Sequence, residues 1–254
     1  MTTTQGEVPA HRARGSAGLL APSRSAERRP TWRRAAWLAG GLTAAWASLA
    51  AWVHSHAPGV PAIDANIHHW ALEHRDSTTV QLARAASWLG QTDVALPLIV
   101  VAGLAAAGST RRFGRVRASL LLLALGGVGV VVGLQLNRVV GRARPLPGDW
   151  AGAAGGFSFP SGHTTAATLA AGLVAWSVSR KLTHRKTQIG VWLGAALWAG
   201  SVGWSRVWLG VHWPTDVVCG WLFAGSFLVL ARAVQLKRWP ADAPPVLPTD
   251  ETTG

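Results

Sequence analysis

Six apolar segments, separated by polar connections, constrain the fold of this chain more than any other feature of its sequence. A helix of about 20 apolar residues crosses a hydrocarbon layer of about 30 Å, and fewer residues suffice when the terminal side chains snorkel. None of the segments alternates apolar and polar residues as a membrane β-strand does. The sequence therefore predicts an all-α protein, a bundle of six transmembrane helices. The segments are Ala35–Val53, Leu89–Gly108, Ala118–Leu136, Gly162–Ser179, Ile189–Trp204 and Val217–Val234.

The flanks of this apolar region have a different composition. Residues 1–34 are rich in Arg, Ser, Ala and Pro and predict a disordered basic tail, and residues 235–254 form a second, Pro-rich tail. Residues 35–234 then form one membrane domain, whose polar motifs all lie between about 89 and 234. Between the first two segments, residues 62–76 predict a short interfacial helix with Ile63, Ile67 and Trp70 on its apolar face.

The basic residues are distributed unevenly between the connections. The chain has 24 Lys and Arg against 11 Asp and Glu, and 18 of the 24 fall in residues 1–34, 111–117, 180–186 and 232–254. In a six-span arrangement these four regions lie on one side, which the positive-inside rule makes cytoplasmic. The net charge of +13 is thus explained mainly by topology, and nucleic acid is not an expected partner.

Few residues point to a metal or a disulfide. Cys219 is the single cysteine and lies in an apolar segment, which favours a packed small residue over a reactive thiol. His68, His69 and His74 lie on the predicted interfacial helix without acidic or cysteine residues at ligand spacing, so a solvated polar face is favoured over a metal site.

Three polar clusters follow or precede apolar segments on the opposite, extracytoplasmic side. They are Asn137–Pro145 (NRVVGRARP), Pro160–His163 (PSGH) and Ser205–Asp216 (SRVWLGVHWPTD). Because all three adjoin segment ends on the same predicted face, residues distant in sequence are expected to converge just outside the hydrocarbon.

The side chains of these clusters suit phosphate chemistry. The guanidinium groups of Arg144 and Arg206 bind phosphate oxygens as planar forks, and the Ser161–Gly162 corner starts a helix whose free amides suit an anion. The bland alternatives are interfacial anchors for the arginines and a simple helix cap for Ser161.

A histidine and a carboxylate four residues apart indicate a nucleophile. An aspartate at position 216 can fix the tautomer of His212 and leave its other ring nitrogen free. His163 has no adjacent carboxylate and suits proton transfer near neutral pH. A role for Asp216 in favouring the positive end of the helix alone is the alternative.

These motifs resemble the type-2 phosphatidic acid phosphatase family, which shares its phosphate-site pattern with the vanadium haloperoxidases. PSGH at 160–163 and SR-x5-H-x3-D at 205–216 look like two family signatures, and the resemblance covers roughly residues 89–234. The third signature, K-x6-RP, is met only at Arg144 and Pro145, because Asn137 stands at the lysine position. The amide of Asn137 adds no positive charge, and Arg138 or Arg142 is a candidate substitute for the missing lysine.

The resemblance implies a membrane enzyme that removes phosphate from lipid phosphates or diphosphates without a metal or other cofactor. It implies that His212 attacks phosphorus, oriented by Asp216, and that His163 protonates the leaving oxygen. It also implies that Arg144, Arg206, Ser161 and the Gly162 amide hold the phosphate oxygens.

The expected function is hydrolysis of a phosphorylated lipid through a phosphohistidine at the outer face of the cell membrane, with both termini cytoplasmic. Candidate substrates are a polyprenyl diphosphate, phosphatidate and phosphatidylglycerol phosphate. Two alternatives remain open: a phosphotransferase with a lipid or sugar acceptor, and a non-catalytic lipid-phosphate binder. The expected partners are the substrate and membrane lipids, and the sequence leaves the oligomeric state undetermined.

Overall fold

The computed structural model describes Thr2 and residues 31–107 and 112–238, and these ranges contain only helices and connections. Of the two predicted tails (1–34 and 235–254), residues 1, 3–30 and 239–254 lie outside the described residues. Residues 31–34 and 235–238 are helical, so the predicted tail boundaries are wrong by four residues at each end, because the basic and polar residues there continue the helices α1 and α8. The α-helices are α1 (Thr31–Ser55), α2 (Ala62–His74), α3 (Ser77–Trp88), α4 (Thr92–Ala107), α5 (Arg112–Val140), α6 (Gly162–Ser179), α7 (Arg185–Trp208) and α8 (Pro214–Arg238), with a 3-10 helix at Pro147–Asp149.

The described part of each of the six predicted apolar segments lies largely on a separate helix, α1 and α4 to α8; the second segment begins at Leu89, three residues before α4. The helices are longer than the segments at several ends: α1 begins at Thr31 and α8 continues to Arg238. The all-helical class is therefore confirmed for the described residues. Polar side chains at the ends of these helices, and on the faces that pack against other helices, interrupt the apolar pattern of the sequence. The length of an apolar segment therefore underestimates the length of its helix.

The helices that carry the six predicted segments differ in how well their length and hydropathy suit a membrane crossing. Among residues 31–107 and 112–238, two helices, α1 and α8, are long and apolar enough to cross a bilayer, and a third crossing results if α3 and Thr92–Ala102 of α4 act as one span bent by 46°. Helix α4 has only 16 residues, and the stretch Gly126–Val140 of α5 is apolar but also short. Helix α6 begins with the polar residues of GHTT, and α7 carries Arg185, Lys186 and Arg206. Six crossings therefore remain a prediction.

The helices around α6 pack closely because small residues line their contacts. A central cluster of apolar residues joins α4, α6 and α8, and includes Ile99, Leu169 and Ala224. A side chain at Gly172 would overlap Leu228 of α8 at 2.3 Å, and one at Gly129 of α5 would press on Leu169 at 3.3 Å. The absence of a side chain at these glycines lets the helix backbones approach closely, as in other membrane bundles.

The outer surface of the bundle is strongly apolar. Trp37, Leu104, Leu134 and Leu197 are among many large apolar side chains that are more than half exposed or close to it. A soluble monomer rarely carries so extensive an apolar surface. Contact with lipid hydrocarbon accounts for it.

Helix α2 differs in part from its predicted role. Ile63 and Trp70 are exposed as expected of an apolar interfacial face, but Asp64 and His68 are buried on the opposite side. His68 contacts the Asp149 carboxylate at 3.1 Å, so the prediction of a solvated polar face is wrong for this histidine. Cys219 is fully buried, as predicted.

Candidate active site

The three polar clusters meet where four helices end. α5 and α7 finish there, and α6 and α8 begin there, so their terminal residues face one another across a short distance. Gly210 allows the chain to leave α7: its φ of +71° is in the left-handed region, and a Cβ would lie 2.4 Å from the Asp149 carbonyl oxygen. This turn carries the following residues, up to His212, back into the protein.

His212 and Asp216 form the predicted pair. Both side chains are buried, and the imidazole Nδ1 lies 3.4 Å from the Asp216 Oδ2. Asp216 lies in the first turn of α8, where its Oδ2 also accepts the Trp213 amide at 2.9 Å and the Ser158 hydroxyl. Pro214 at the start of α8 does not prevent the contact, because His212 lies just before the helix.

The tautomer of His212 follows from its second contact. Arg144 Nη1 lies 2.8 Å from His212 Nε2, and a guanidinium can only donate. Nε2 is therefore the acceptor and Nδ1 carries the proton toward Asp216, an assignment made from the hydrogen-bond network. The free lone pair of the ring is therefore on Nε2. The group that donates a hydrogen bond to it is Arg144, one of the two arginines predicted to bind phosphate.

The environment keeps this imidazole neutral. Burial lowers the pKa of His212 from 6.5 to about 4; the hydrogen bond and charge of Asp216 oppose the shift, and the cations Arg144 and Arg206 add to it. At neutral pH the ring is therefore unprotonated and retains its nucleophilic lone pair.

Arg206 is held with one donor unused. Its side chain is only 3% exposed, and its Nη1 donates to the Ser87 hydroxyl at 2.6 Å while Nη2 donates to the Ala153 carbonyl at 3.1 Å. The buried Nε has no hydrogen-bond partner among the described residues. A buried donor without a partner is costly, and an anion beside it would satisfy it.

The start of α6 lies beside His212 and Arg206 in the same cluster. Ser161 is fully buried and caps the helix, its Oγ accepting the Thr164 backbone amide at 3.4 Å and also the Thr164 hydroxyl at 2.9 Å. Its own amide donates to the Asp216 carbonyl. Gly162 is exposed, and the next residue, His163, is partly buried within electrostatic range of Arg206, His212 and Arg144. The cap predicted as the bland alternative for Ser161 is thus present within the same cluster.

Asn137 and Arg138 occupy different environments at the end of α5. The amide nitrogen of Asn137 donates to the carbonyl oxygens of Phe157 and Phe159 at 2.8 and 3.3 Å, and so holds the segment that precedes Ser161. Arg138 is exposed. The structure brings seven of the nine predicted residues into one cluster and gives Asn137 a supporting position behind it.

Three residues of the cluster are absent from the sequence prediction in their present roles. Arg142 was a candidate for the missing lysine charge, but its guanidinium lies between the carboxylates of Asp216 and Asp64, at 2.6 Å from each. Ser158 donates to Asp216. In the sequence, Asp64 is distinguished only by its spacing, which places it on the same face of α2 as His68 and Ala71. In the structure this face is buried.

Metal ligands are not gathered at this site. Among residues 31–107 and 112–238, no group of three His, Cys, Asp or Glu side chains is placed to hold a metal ion.

Comparisons with known proteins identify the family of this chain. The model of the PAP2 superfamily matches residues 115–240. Phosphatidylglycerophosphatase B of Bacillus subtilis (strain 168) is 31% identical over 195 residues, which cover 74% of this chain and 90% of that protein. Decaprenylphosphoryl-5-phosphoribose phosphatase of Mycolicibacterium smegmatis is 33% identical over 142 residues, 54% of this chain and 69% of the relative.

A solved structure supports the same relationship. The crystal structure of a transmembrane PAP2-type phosphatidylglycerolphosphate phosphatase from Bacillus subtilis superposes with a TM-score of 0.66 and 27% sequence identity, covering 79% of this chain and 96% of the other. The relatives are phosphatases of phosphorylated lipids, and the structural neighbour is an integral membrane protein. On its sequence, its helical fold and the match to a relative over most of that relative's length, this chain belongs to the PAP2 superfamily.

Proposed function

We propose that this protein is an integral membrane lipid phosphatase that removes phosphate from a phosphate or diphosphate lipid through a phosphohistidine on His212. The observation that carries the proposal is the arrangement around Nε2: Asp216 holds Nδ1 at 3.4 Å and Arg144 lies against Nε2 at 2.8 Å. Phosphoryl transfer through a covalent intermediate requires a nucleophile, a group that orients it and cations that bind phosphate. Binding of a lipid phosphate requires only the cations.

In the first step, Nε2 of His212 attacks phosphorus in line with the oxygen that links it to the lipid. The P–O bond to the lipid breaks as the N–P bond forms, and His163 donates a proton to the leaving oxygen. Arg144, Arg206, Ser161 and the Gly162 amide hold the other phosphate oxygens, where negative charge is stabilised throughout the transfer.

In the second step, water attacks the phosphohistidine. His163, now unprotonated, accepts a proton from that water, the N–P bond breaks, and inorganic phosphate leaves. No metal or other cofactor takes part in this scheme. Because Arg144 Nη1 contacts Nε2 of His212 at 2.8 Å, this scheme requires the guanidinium to turn from the nucleophile to the phosphate oxygens as the substrate enters.

Asn137 supports this site indirectly. With its amide nitrogen committed to the Phe157 and Phe159 carbonyls, it fixes the segment that leads to Ser161 and contributes no charge. Arg138, exposed one residue later, is assigned to the outer approach for anionic headgroups.

The test of the function is release of phosphate by the purified protein from a polyprenyl diphosphate, phosphatidate and phosphatidylglycerol phosphate, with EDTA present. Release that persists in EDTA supports the scheme, and the fastest lipid identifies the substrate class. Addition of a lipid or sugar alcohol separates hydrolysis from transfer, because a transferase yields a phosphorylated acceptor. A folded protein that binds these lipids but releases nothing is a binder, and that result contradicts the proposal.

The membrane arrangement belongs to the same proposal. We place six helices across the cell membrane, with both termini cytoplasmic and the active site on the extracytoplasmic side, on the support of the basic residues in the tails and in the connections 111–117 and 180–186. The outward apolar surfaces of α1, α4, α5 and α7 are consistent with this arrangement.

The sidedness predicts the labelling of single cysteines. Gly148 on the 3-10 helix and His184 before α7 are both exposed, and Cys219 is buried. We expect a membrane-impermeant thiol reagent to label Gly148→Cys in intact cells and to label His184→Cys only after the membrane is permeabilised. The native chain, whose single cysteine is Cys219, is the background control. The reverse pattern would place the active site in the cytoplasm.

An apolar groove between α3 and α7 offers a place for the lipid chain. Its volume is about 360 Å³, and its lining includes Leu82, Ala86, Ser201, Trp204 and Ser205. Ala86 and Ser205 are the chain neighbours of Ser87 and Arg206, which are in hydrogen-bond contact. We therefore assign this groove to the chain of the substrate lipid.

Filling the groove is expected to weaken binding of long lipids selectively. Ser201→Phe places a ring in the groove about one turn of α7 from Arg206, and we expect KM for a long-chain lipid phosphate to rise about tenfold, since lost apolar contact costs about 0.8 kcal/mol per CH₂. KM for a soluble short-chain phosphate should stay within twofold. Leu197→Phe, on the exposed surface of the same helix, is the control. Equal effects on both substrates would exclude the groove as the chain site.

A further inference from the structure

Helix α2 contributes a buried carboxylate to the catalytic cluster. Asp64 is fully buried, and its Oδ1 accepts the Thr215 amide at 2.9 Å while its Oδ2 accepts the Thr215 hydroxyl at 2.6 Å and Arg142 Nη2 at 2.6 Å. Every hydrogen bond at this carboxylate is donated to it, which is the acceptor-only pattern of the ionised form.

Arg142 connects Asp64 to the carboxylate that orients the nucleophile. Its Nη1 donates to Asp216 Oδ1 at 2.6 Å and its Nη2 to Asp64, and its side chain is 10% exposed. A continuous chain of contacts thus runs from Asp64 through Arg142 and Asp216 to His212. Three ionised groups lie in this chain, two negative and one positive.

The role of Asp64 follows from the sum of the charges on Asp64, Arg142 and Asp216. With Arg142 alone at 2.6 Å, the charge of Asp216 would be neutralised by a salt bridge in a buried setting, where opposite charges cancel strongly. Asp64 shares the same guanidinium, so the group as a whole keeps one negative charge. When His212 forms its bond to phosphorus the ring becomes positive, and a net negative partner stabilises it while a neutral one does not.

We propose that Asp64 is a positioning residue of the catalytic site, which balances Arg142 so that Asp216 retains a net negative charge toward His212. This inference rests on the proposed function. It assigns a catalytic contribution to α2, outside the three sequence motifs and outside residues 115–240 that match the family model.

The charge role predicts shifts of opposite sign in two variants. The charged and titratable groups around His212 are Asp216 at the start of α8, Arg144 in the connection after α5, Arg206 on α7 and His163 on α6. Asp64→Asn removes a negative charge behind Asp216, so the acidic limb of the kcat/KM profile moves to lower pH. Arg142→Gln removes a positive charge, so the limb moves to higher pH. A merely structural role would not reverse the sign.

The rates give a second readout. We expect Asp64→Asn to lower kcat by about 10- to 100-fold with KM changed less than threefold, a smaller loss than removal of an orienting aspartate causes. The double variant Asp64→Asn/Arg142→Gln restores the charge balance and should recover kcat at least about fivefold over the single variant. Asp149→Asn is the matched control, because it removes a carboxylate contact to His68 of the same helix; its kcat should stay within about threefold.

Several results would overturn the inference: a kcat for Asp64→Asn within threefold of the native value, an acidic limb that does not move to lower pH, or a double variant no faster than the single one. If Asp64→Asn does not fold, the comparison moves to the Arg142→Gln background, where the acidic limb must lie at higher pH than in the double variant. Native activity that is lost in His212→Ala tests the proposed function separately. Orthovanadate, a phosphate analogue that bonds to imidazole, gives a readout without turnover, and its affinity should fall about tenfold in Asp64→Asn.

Discussion

Replacement of His212 by alanine is expected to lower the rate of phosphate release about 10⁴-fold or more, the scale on which removal of a nucleophile acts in other covalent catalysts. No other imidazole in the described cluster has a carboxylate on one nitrogen and an arginine on the other. The residual rate would come from the arginines and the α6 amides, which still bind phosphate. Initial rates in detergent micelles with EDTA provide the measurement.

The same variant tests the covalent intermediate. Brief reaction of the native protein with a lipid labelled in its phosphate should leave label on the protein, stable to alkali and released by acid, as a phosphorus–nitrogen bond requires. His212→Ala should retain none. His69→Ala is the control, since His69 is exposed and pairs with Glu73 of its own helix; its rate should stay within twofold. A rate for His212→Ala above one-tenth of the native rate would contradict the mechanism.

Replacement of Arg206 by lysine is expected to lower kcat/KM about 10²- to 10³-fold, although the positive charge is kept. The guanidinium donates at once to Ser87 and Ala153 and still presents an unpartnered Nε. A lysine ammonium has no planar fork and cannot make these contacts while holding two phosphate oxygens. Loss of one fixed donor to a transition-state oxygen costs a factor of this size.

A second arginine provides the control that distinguishes loss of the guanidinium geometry at the site from a general effect of replacing arginine by lysine. Arg84 of α3 donates through Nε to the Ala151 carbonyl at 2.7 Å and is exposed, so Arg84→Lys should keep kcat/KM within twofold. Vanadate affinity should fall with the rate in Arg206→Lys and stay unchanged in Arg84→Lys. An Arg206→Lys variant that retains more than a third of native kcat/KM would show that a point charge suffices and would exclude the fork.

Seven of the eight α-helices of the described residues could be predicted from the sequence, and α3 (Ser77–Trp88), which has neither a long apolar segment nor a polar motif, was missed. Six apolar segments lie on α1 and α4 to α8, since hydrophobic composition and length are local properties of the chain. Their role as membrane crossings is a weaker inference, because polar faces and ends lower the mean hydropathy of helices such as α7, which carries Arg185, Lys186 and Arg206.

The motif residues were also readable because their spacing is local. His212 and Asp216 are four residues apart, and Ser161, Gly162 and His163 are consecutive at a helix start. Such spacings restrict which side chains can meet, whatever the rest of the fold does. Their convergence with Arg144 and Arg206 followed from the shared side of the predicted bundle.

The sequence by itself determined the helical class, the apolar surface and the identity of the side chains that we propose to act on phosphate. Only the tertiary structure decided which polar groups stand behind them. Arg142 lies between carboxylates 78 and 74 residues away along the chain, and Asn137 turns its amide to carbonyls 20 residues or more away. A buried charge takes whichever partner the packing of distant helices brings within hydrogen-bond distance, and that partner is not encoded in any local spacing.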